Sequence, residues 1–184
     1  MIRKLLPVLA FTAALAACNG NPLAPAQAAN VVDTLTLGAL AGTPLHVASA
    51  LSISDRRVVR TDQTASFDLA YDVSPTLGPV FRTAADLGAA ARTGASPGLM
   101  LTTKTFDEIT IAELNGYAIT GPVPVQVGQV YYVRSSVVCV FIGSPVYGKM
   151  EVLALDEANR TVTLRILVNT NCGYRGLQPG VPSS

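Results

Sequence analysis

The chain has 184 residues, one domain's worth, and with 49% hydrophobic against 14% charged residues it can bury a sizeable core and is not disordered throughout. Its 13 basic and 12 acidic residues nearly cancel. That balance gives no reason to expect a nucleic acid or an anionic surface as partner.

Residues 1–17 open with Arg3 and Lys4, run apolar from Leu5 to Ala17 and stop at Cys18. A short basic segment before a dozen or so apolar residues predicts a secretory signal, too short to span a bilayer permanently. Its end, Leu15-Ala16-Ala17-Cys18, resembles the lipobox of bacterial lipoproteins. The resemblance implies cleavage before Cys18, acylation of that cysteine and attachment to the cell envelope. Asn19 rather than Asp follows, which in the proteobacterial sorting rule points to the outer membrane. An ordinary signal with an incidental cysteine is the competing reading. The signal carries two basic and no acidic residues, so its loss leaves eleven basic against twelve acidic, still near neutral.

Cys139 and Cys172 remain. In an oxidising compartment an even remainder predicts a disulfide, closing a loop of about 33 residues and stabilising by about 3–4 kcal/mol on the chain-entropy estimate. Two free buried thiols or a metal pair are the alternatives. The metal is disfavoured because no further cysteine lies near and the one histidine, His46, is far upstream.

Residues 18–30 lack charge and carry Pro, Ala, Asn and Gln, which predicts an acylated cysteine on a flexible tether. Residues 31–184 then form one domain. Val31 to Ala50 is ambiguous between a short strand and a loose turn. Arg57 to Thr61 is a short strand candidate. From Ser66 to Val73, Phe67, Leu69, Tyr71 and Val73 alternate with Ser66, Asp68, Ala70 and Asp72, predicting a half-buried strand with its acids on the wet face. Pro75 and Gly78-Pro79 turn the chain so that Val80 to Thr83 returns as a hairpin partner. Ala84 to Ala91 suits one or two helical turns.

Phe106 to Leu114, with Ile109 and Ile111 two apart, reads as a strand, and Asn115-Gly116 as the hairpin turn before Tyr117 to Thr120. Gly121-Pro122-Val123-Pro124 is a stiff connector that cannot sit mid-sheet. Val130 to Ile142, Tyr147 to Leu155 and Thr161 to Val168 are the most β-like runs. In the last, Val162, Leu164, Ile166 and Val168 share one face, while Thr161, Thr163, Arg165 and Leu167 share the other. Asp156 to Arg160 is the loop between the second and third runs. The whole predicts a single all-β antiparallel sandwich or barrel-like domain with a C-terminal meander and at most a short helix.

No catalytic constellation emerges, and the chain reads as a non-enzyme. Gly94-Ala95-Ser96-Pro97-Gly98 fits the G-x-S-x-G elbow. The elbow needs a strand before it, a helix after it and a downstream histidine, and here the flanks read as loop and His46 lies upstream. One histidine makes no multi-histidine metal site. Asp68 and Asp72 fall on one strand face about 13 Å apart, too far to share a proton or an ion. Asp156 to Asn159 lacks the oxygens and the glycine of a calcium loop. What is left is aromatic and basic: Tyr132, Arg134 and Tyr147, with Met100, are the candidate lining of a ligand cleft. Core aromatics beside ordinary outer charges is the plainer reading.

Three stretches carry a further resemblance. Ser66-Phe67-Asp68-Leu69-Ala70-Tyr71 resembles the Trp-Asp-hydrophobic-Ala-Phe strand of the HmuY-like haem-binding lipoproteins. Val130-Tyr131-Tyr132-Val133-Arg134 and Tyr147 to Leu153 are similar to that family's region near the C-terminus, and Thr161 to Val168 to its final strand. The resemblance spans roughly Ser66 to Val168. It implies an all-β surface lipoprotein and, in the best-known members, haem held between two histidines. This chain departs there, with no histidine after His46 and with Phe67 where the family has tryptophan. No cofactor is therefore expected; haem remains the one candidate, with the thioethers of Met100 and Met150 as its available ligands. The expectation is a lipid-anchored envelope protein that binds a small ligand at the cell surface. A structural or interaction lipoprotein serving an envelope assembly through a protein partner is the alternative, and a hydrolase using Ser96 a distant third.

Overall fold

A computed structural model describes residues 23–89 and 95–183. The alternating runs form strands: β1 (Val32–Gly38), β2 (Ala50–Ser52), β3 (Arg57–Val59), β4 (Leu69–Ser74), β5 (Gly78–Thr83), β6 (Gly98–Thr102), β7 (Val123–Pro124), β8 (Val130–Cys139), β9 (Ser144–Asp156) and β10 (Thr161–Asn169). They make two antiparallel sheets of five, ordered β1-β10-β9-β8-β6 and β3-β2-β4-β5-β7. Neither closes on itself, so the architecture is a sandwich and not a barrel, and no helix occurs among the described residues. The signal segment, Cys18 and the start of the tether lie outside the described residues.

The predicted meander is the centre of the larger sheet, with β8, β9 and β10 as successive neighbours. At the β9–β10 turn, Asp156 accepts bonds from the Asn159 backbone N–H and side-chain amide at 2.9 and 2.7 Å, and Arg160 takes a left-handed φ of 54°. Those bonds hold the Asp156 carboxyl below its usual range. The core between the sheets takes Tyr131, Val133, Met150, Val162, Leu164 and Ile166 from the larger sheet and Leu51, Leu69, Tyr71 and Phe81 from the smaller. Phe81 meets Tyr71 and Tyr131 edge-on, at centroid distances of 6.2 and 5.8 Å. Val123–Pro124 pairs only with β5, at a sheet edge where a proline is tolerated. Cys139 and Cys172 lie at disulfide distance, with their Cα atoms 5.5 Å apart.

Four expectations need correction. Asp68 is not on a wet face: it is 3% exposed and precedes β4 rather than joining it. Its carboxylate accepts from the Ile53 N–H at 2.8 Å and the Ser136 N–H at 2.9 Å. Ile53 follows β2 and Ser136 lies in β8, so this one side chain ties the smaller sheet to the larger. Ala84 to Ala89 makes turns and no helix: Thr83 Oγ1 caps the start by accepting from the Asp86 N–H, but Gly88, at a left-handed φ of 68°, ends it after one turn, with the Ala89 N–H donating back to the Ala84 carbonyl; Ala90 and Ala91 lie outside the described residues.

Phe106 to Leu114 is not a strand. Only Ile111 makes a bridge, to Gly176, and no hairpin forms at Asn115-Gly116. The buried set is Phe106, Ile109 and Ala112, three apart, which no pleated strand can place on one face. Finally, the tether is not free along its whole length. From Leu23 onward it lies against the C-terminal tail: Asn171 Oδ1 accepts from the Gln27 and Ala28 N–H groups, Tyr174 donates its hydroxyl to the Ala24 carbonyl, and Asn30 bridges Gly180.

Candidate functional site

The larger sheet has a second apolar face. In β8, Tyr131 and Val133 enter the sandwich, so Val130, Tyr132 and Arg134 face away from it. Register carries the pattern across the sheet: Met100 pairs with Tyr132, Tyr132 with Lys149, and Arg134 with Tyr147. The predicted ligand set Met100, Tyr132, Arg134 and Tyr147 is therefore gathered on one face. It is not, however, an open cleft. Residues 103–122 cross this face as a strap, and the tail brings Leu177 against it. Tyr132 is 2% and Tyr147 8% exposed.

Lys149 holds the strap down. Its side chain is 2% exposed, and its Nζ donates to the Phe106 and Ile109 carbonyls, each at 2.8 Å. The same ammonium sits 4.5 Å from the centre of the Phe106 ring, and Arg165 Cζ lies 4.1 Å from that centre. The Phe106 ring thus has two cations within cation–π distance. Arg165 also bonds Asp107 at 2.9 Å and Glu151 at 3.4 Å. Burial lowers the Lys149 pKa against the opposing pull of Asp107. Arg134 fixes the other end of the strap, lying 4.8 Å from the Tyr117 ring centre and donating to the Ser96 carbonyl at 3.1 Å. Tyr117 packs on Tyr147 and donates its hydroxyl to the Glu113 carbonyl, and burial pushes its pKa up strongly.

Two sequence ideas change here. Met100 and Met150 lie on opposite faces of one sheet, Met150 fully buried in the sandwich, so the pair cannot ligate one iron. Ser96 lies in a loop that leads into β6, whereas an elbow serine follows a strand, and Gly94 lies outside the described residues. Among the described residues no cluster of three His, Cys, Asp or Glu side chains is close enough to hold a metal ion.

An open concavity lies beside the strapped face. A groove of about 550 Å³ runs between the end of β6 and the turn before β8, lined among others by Leu101, Thr102, Lys104, Val127, Gln129 and Glu151. Leu101 and Val127 are more than half exposed. Lys104 donates to the Tyr132 hydroxyl at 3.4 Å, which links the groove to the predicted set. Sequence reading missed this site because its members come from loops and strand ends with no shared period. A second groove, of about 450 Å³, contains exposed His46 with Arg57 and Arg60. No family model, curated protein or solved structure matches the chain.

Proposed function

We propose that this is a lipid-anchored protein of the bacterial envelope, outer-membrane in its sorting signal, that works by binding and performs no catalysis. The lipobox ending at Cys18 supports the anchor, and the resemblance to HmuY-like lipoproteins agrees with it. The ligand reading moves from the strapped tyrosines to the neighbouring groove, and the observation that carries it is the composition of that groove. It offers Lys104 as a cation, Glu151 already paired with Arg165, hydroxyls from Thr102, Thr103 and Thr105, and two exposed apolar side chains. That set suits a small polar ligand with an anionic group, held by Lys104 and backed by Leu101 and Val127. It does not suit haem, which needs a wide apolar slot and iron ligands.

The second reading, an interaction lipoprotein, is favoured by the sealing of the predicted cleft under Phe106 and Tyr117. One experiment separates the two. A photoreactive benzoyl-phenylalanine replaces Leu101 in the full chain, and cells are irradiated. A small-mass adduct on the protein supports the ligand reading. A discrete larger band containing a second protein supports the interaction reading and counts against the first.

A further inference from the structure

The β8–β9 turn carries Val140, Phe141 and Ile142, which are 78%, 105% and 50% exposed. Three consecutive large apolar side chains in water are a liability unless something covers them. The turn is held in place from below. Cys139, just before it, lies at disulfide distance from Cys172. A methyl built on Gly173 would come within 2.5 Å of Leu23 Cδ2 and 3.2 Å of Ile142 Cδ1, so Leu23 and Ile142 meet over that glycine. The first described residue of the N-terminal segment therefore sits beside the apolar turn.

Four residues separate Leu23 from Cys18, so the two Cα atoms are at most ~18 Å apart. The docking of residues 23–30 removes the remaining slack. None of the three segments that meet here, Leu23 to Asn30, Val138 to Val146 and Thr170 to Tyr174, carries a charged side chain, and the next residue is basic Arg175. Three uncharged segments, a protruding aromatic and a short leash to an acylated cysteine fit the interface of a lipid bilayer.

We propose that Val140-Phe141-Ile142 is a membrane-inserting tip, a second attachment point beside the anchor that fixes the orientation of the sandwich on the bilayer. The inference rests on the reading of Cys18 as the acylated residue. The lipid occupant is preferred to a partner protein because the tip lies at the end of the molecule from which the anchor leads.

The chain has no tryptophan, so Phe141→Trp supplies a single reporter. Leu77→Trp is the control: Leu77 is half exposed in the β4–β5 turn, at the other end of β4 from Asp68 and its partner Ser136. Each full-length variant is reconstituted into phosphatidylethanolamine–phosphatidylglycerol vesicles containing lipids brominated on their acyl chains. The expected result is a blue-shifted indole emission from Phe141→Trp, quenched about twofold or more by the bromolipid, with the emission of Leu77→Trp unaffected. An unquenched Phe141→Trp protein that floats with the vesicles overturns the tip and leaves the anchor standing. A blue-shifted emission from Phe141→Trp in an unacylated Cys18→Ala background, in buffer without lipid or detergent, also overturns it, since a second copy would then cover the turn. The intact mass of the mature chain reports acylation of Cys18 separately. If no acyl chain is present the anchor reading falls, and the same variant added to vesicles still decides the tip, for it if the indole is quenched and against it if not.

Discussion

Asp68 is the single side chain on which the two sheets depend most directly. Its two oxygens serve one backbone N–H just after β2 of the smaller sheet and one in β8 of the larger, and both bonds are buried. Asp68→Ala removes the acceptors and leaves the donors without partners, at about 1–3 kcal/mol each. Denaturant unfolding should register a loss of about 2 kcal/mol or more, and a loss under about 1 kcal/mol would show that water or a neighbour replaces the carboxylate. Asp68→Asn, which keeps one acceptor oxygen, should fall between. Period-2 reading put this residue outside because it assumed a strand from Ser66. The ladder starts at Leu69, and a residue just before a strand is free to turn inward. Lys149 was hidden for a related reason: alternation puts it opposite Met150, which looks like an outer face. Leu167 was the available warning, an apolar residue among Thr161, Thr163 and Arg165 on the supposed wet side of β10. A leucine there means that something covers the face.

That cover is the strap, an element held by side chains rather than by a ladder. Its backbone is tied at few points, with the Ala112 N–H donating to Arg175 and the Ala118 N–H to Leu99. Lys149→Met keeps the aliphatic stem and removes both donors to the strap carbonyls. Hydrogen exchange at Ala112 should speed up about tenfold or more, matching the loss of about 1.4 kcal/mol of local protection. Global stability should fall by less than the two lost bonds alone would imply, because the variant no longer desolvates an ammonium and the loosened strap can turn its carbonyls to water. Unchanged protection at Ala112 would remove Lys149 from this role. The meander was legible because its strands are long, adjacent and locally patterned. The strap was not: Ile109 and Ile111 imitate a strand, while the working spacing is Phe106, Ile109 and Ala112. β1 was ambiguous because its partner, β10, lies some 130 residues away in the chain, and no local signal announces such a pairing. The aromatic and basic set was identified as a group, but a sequence cannot say whether a group on one face is open or covered.

At the scale of the molecule, the buried tyrosines set the alkaline limit of the fold. Burial raises the pKa of Tyr71, of Tyr117, and of Tyr131 to about 12, against an unfolded value of 10.0. A raised folded pKa gives stability that is complete below pH 10 and lost as pH climbs toward the folded value. Lys149 has the opposite sign: its pKa is lowered from 10.5, so stability rises with pH through its window and this gain ends near 10.5. Above that point the tyrosines act alone, and unfolding free energy should fall steeply up to about pH 12. Tyr131→Phe should cost about 1 kcal/mol at neutral pH, from the hydroxyl's bond, shared between the Pro124 carbonyl and Gln129 Oε1. It should also flatten the alkaline slope by one proton's worth, about 1.4 kcal/mol per pH unit. Denaturant titrations between about pH 9 and 11.5 test both, and an unaltered slope would mean that Tyr131 titrates alike in the folded and unfolded states.

The pairing of Asn30 with Gly180 has a consequence in time. Two segments about 150 residues apart cannot join until the later one has been made and released. Any enzyme acting on the N-terminal region during synthesis or export meets residues 23–30 undocked and fully accessible. Once Asn171, Tyr174 and Gly180 arrive, the same residues become part of the body and the window closes.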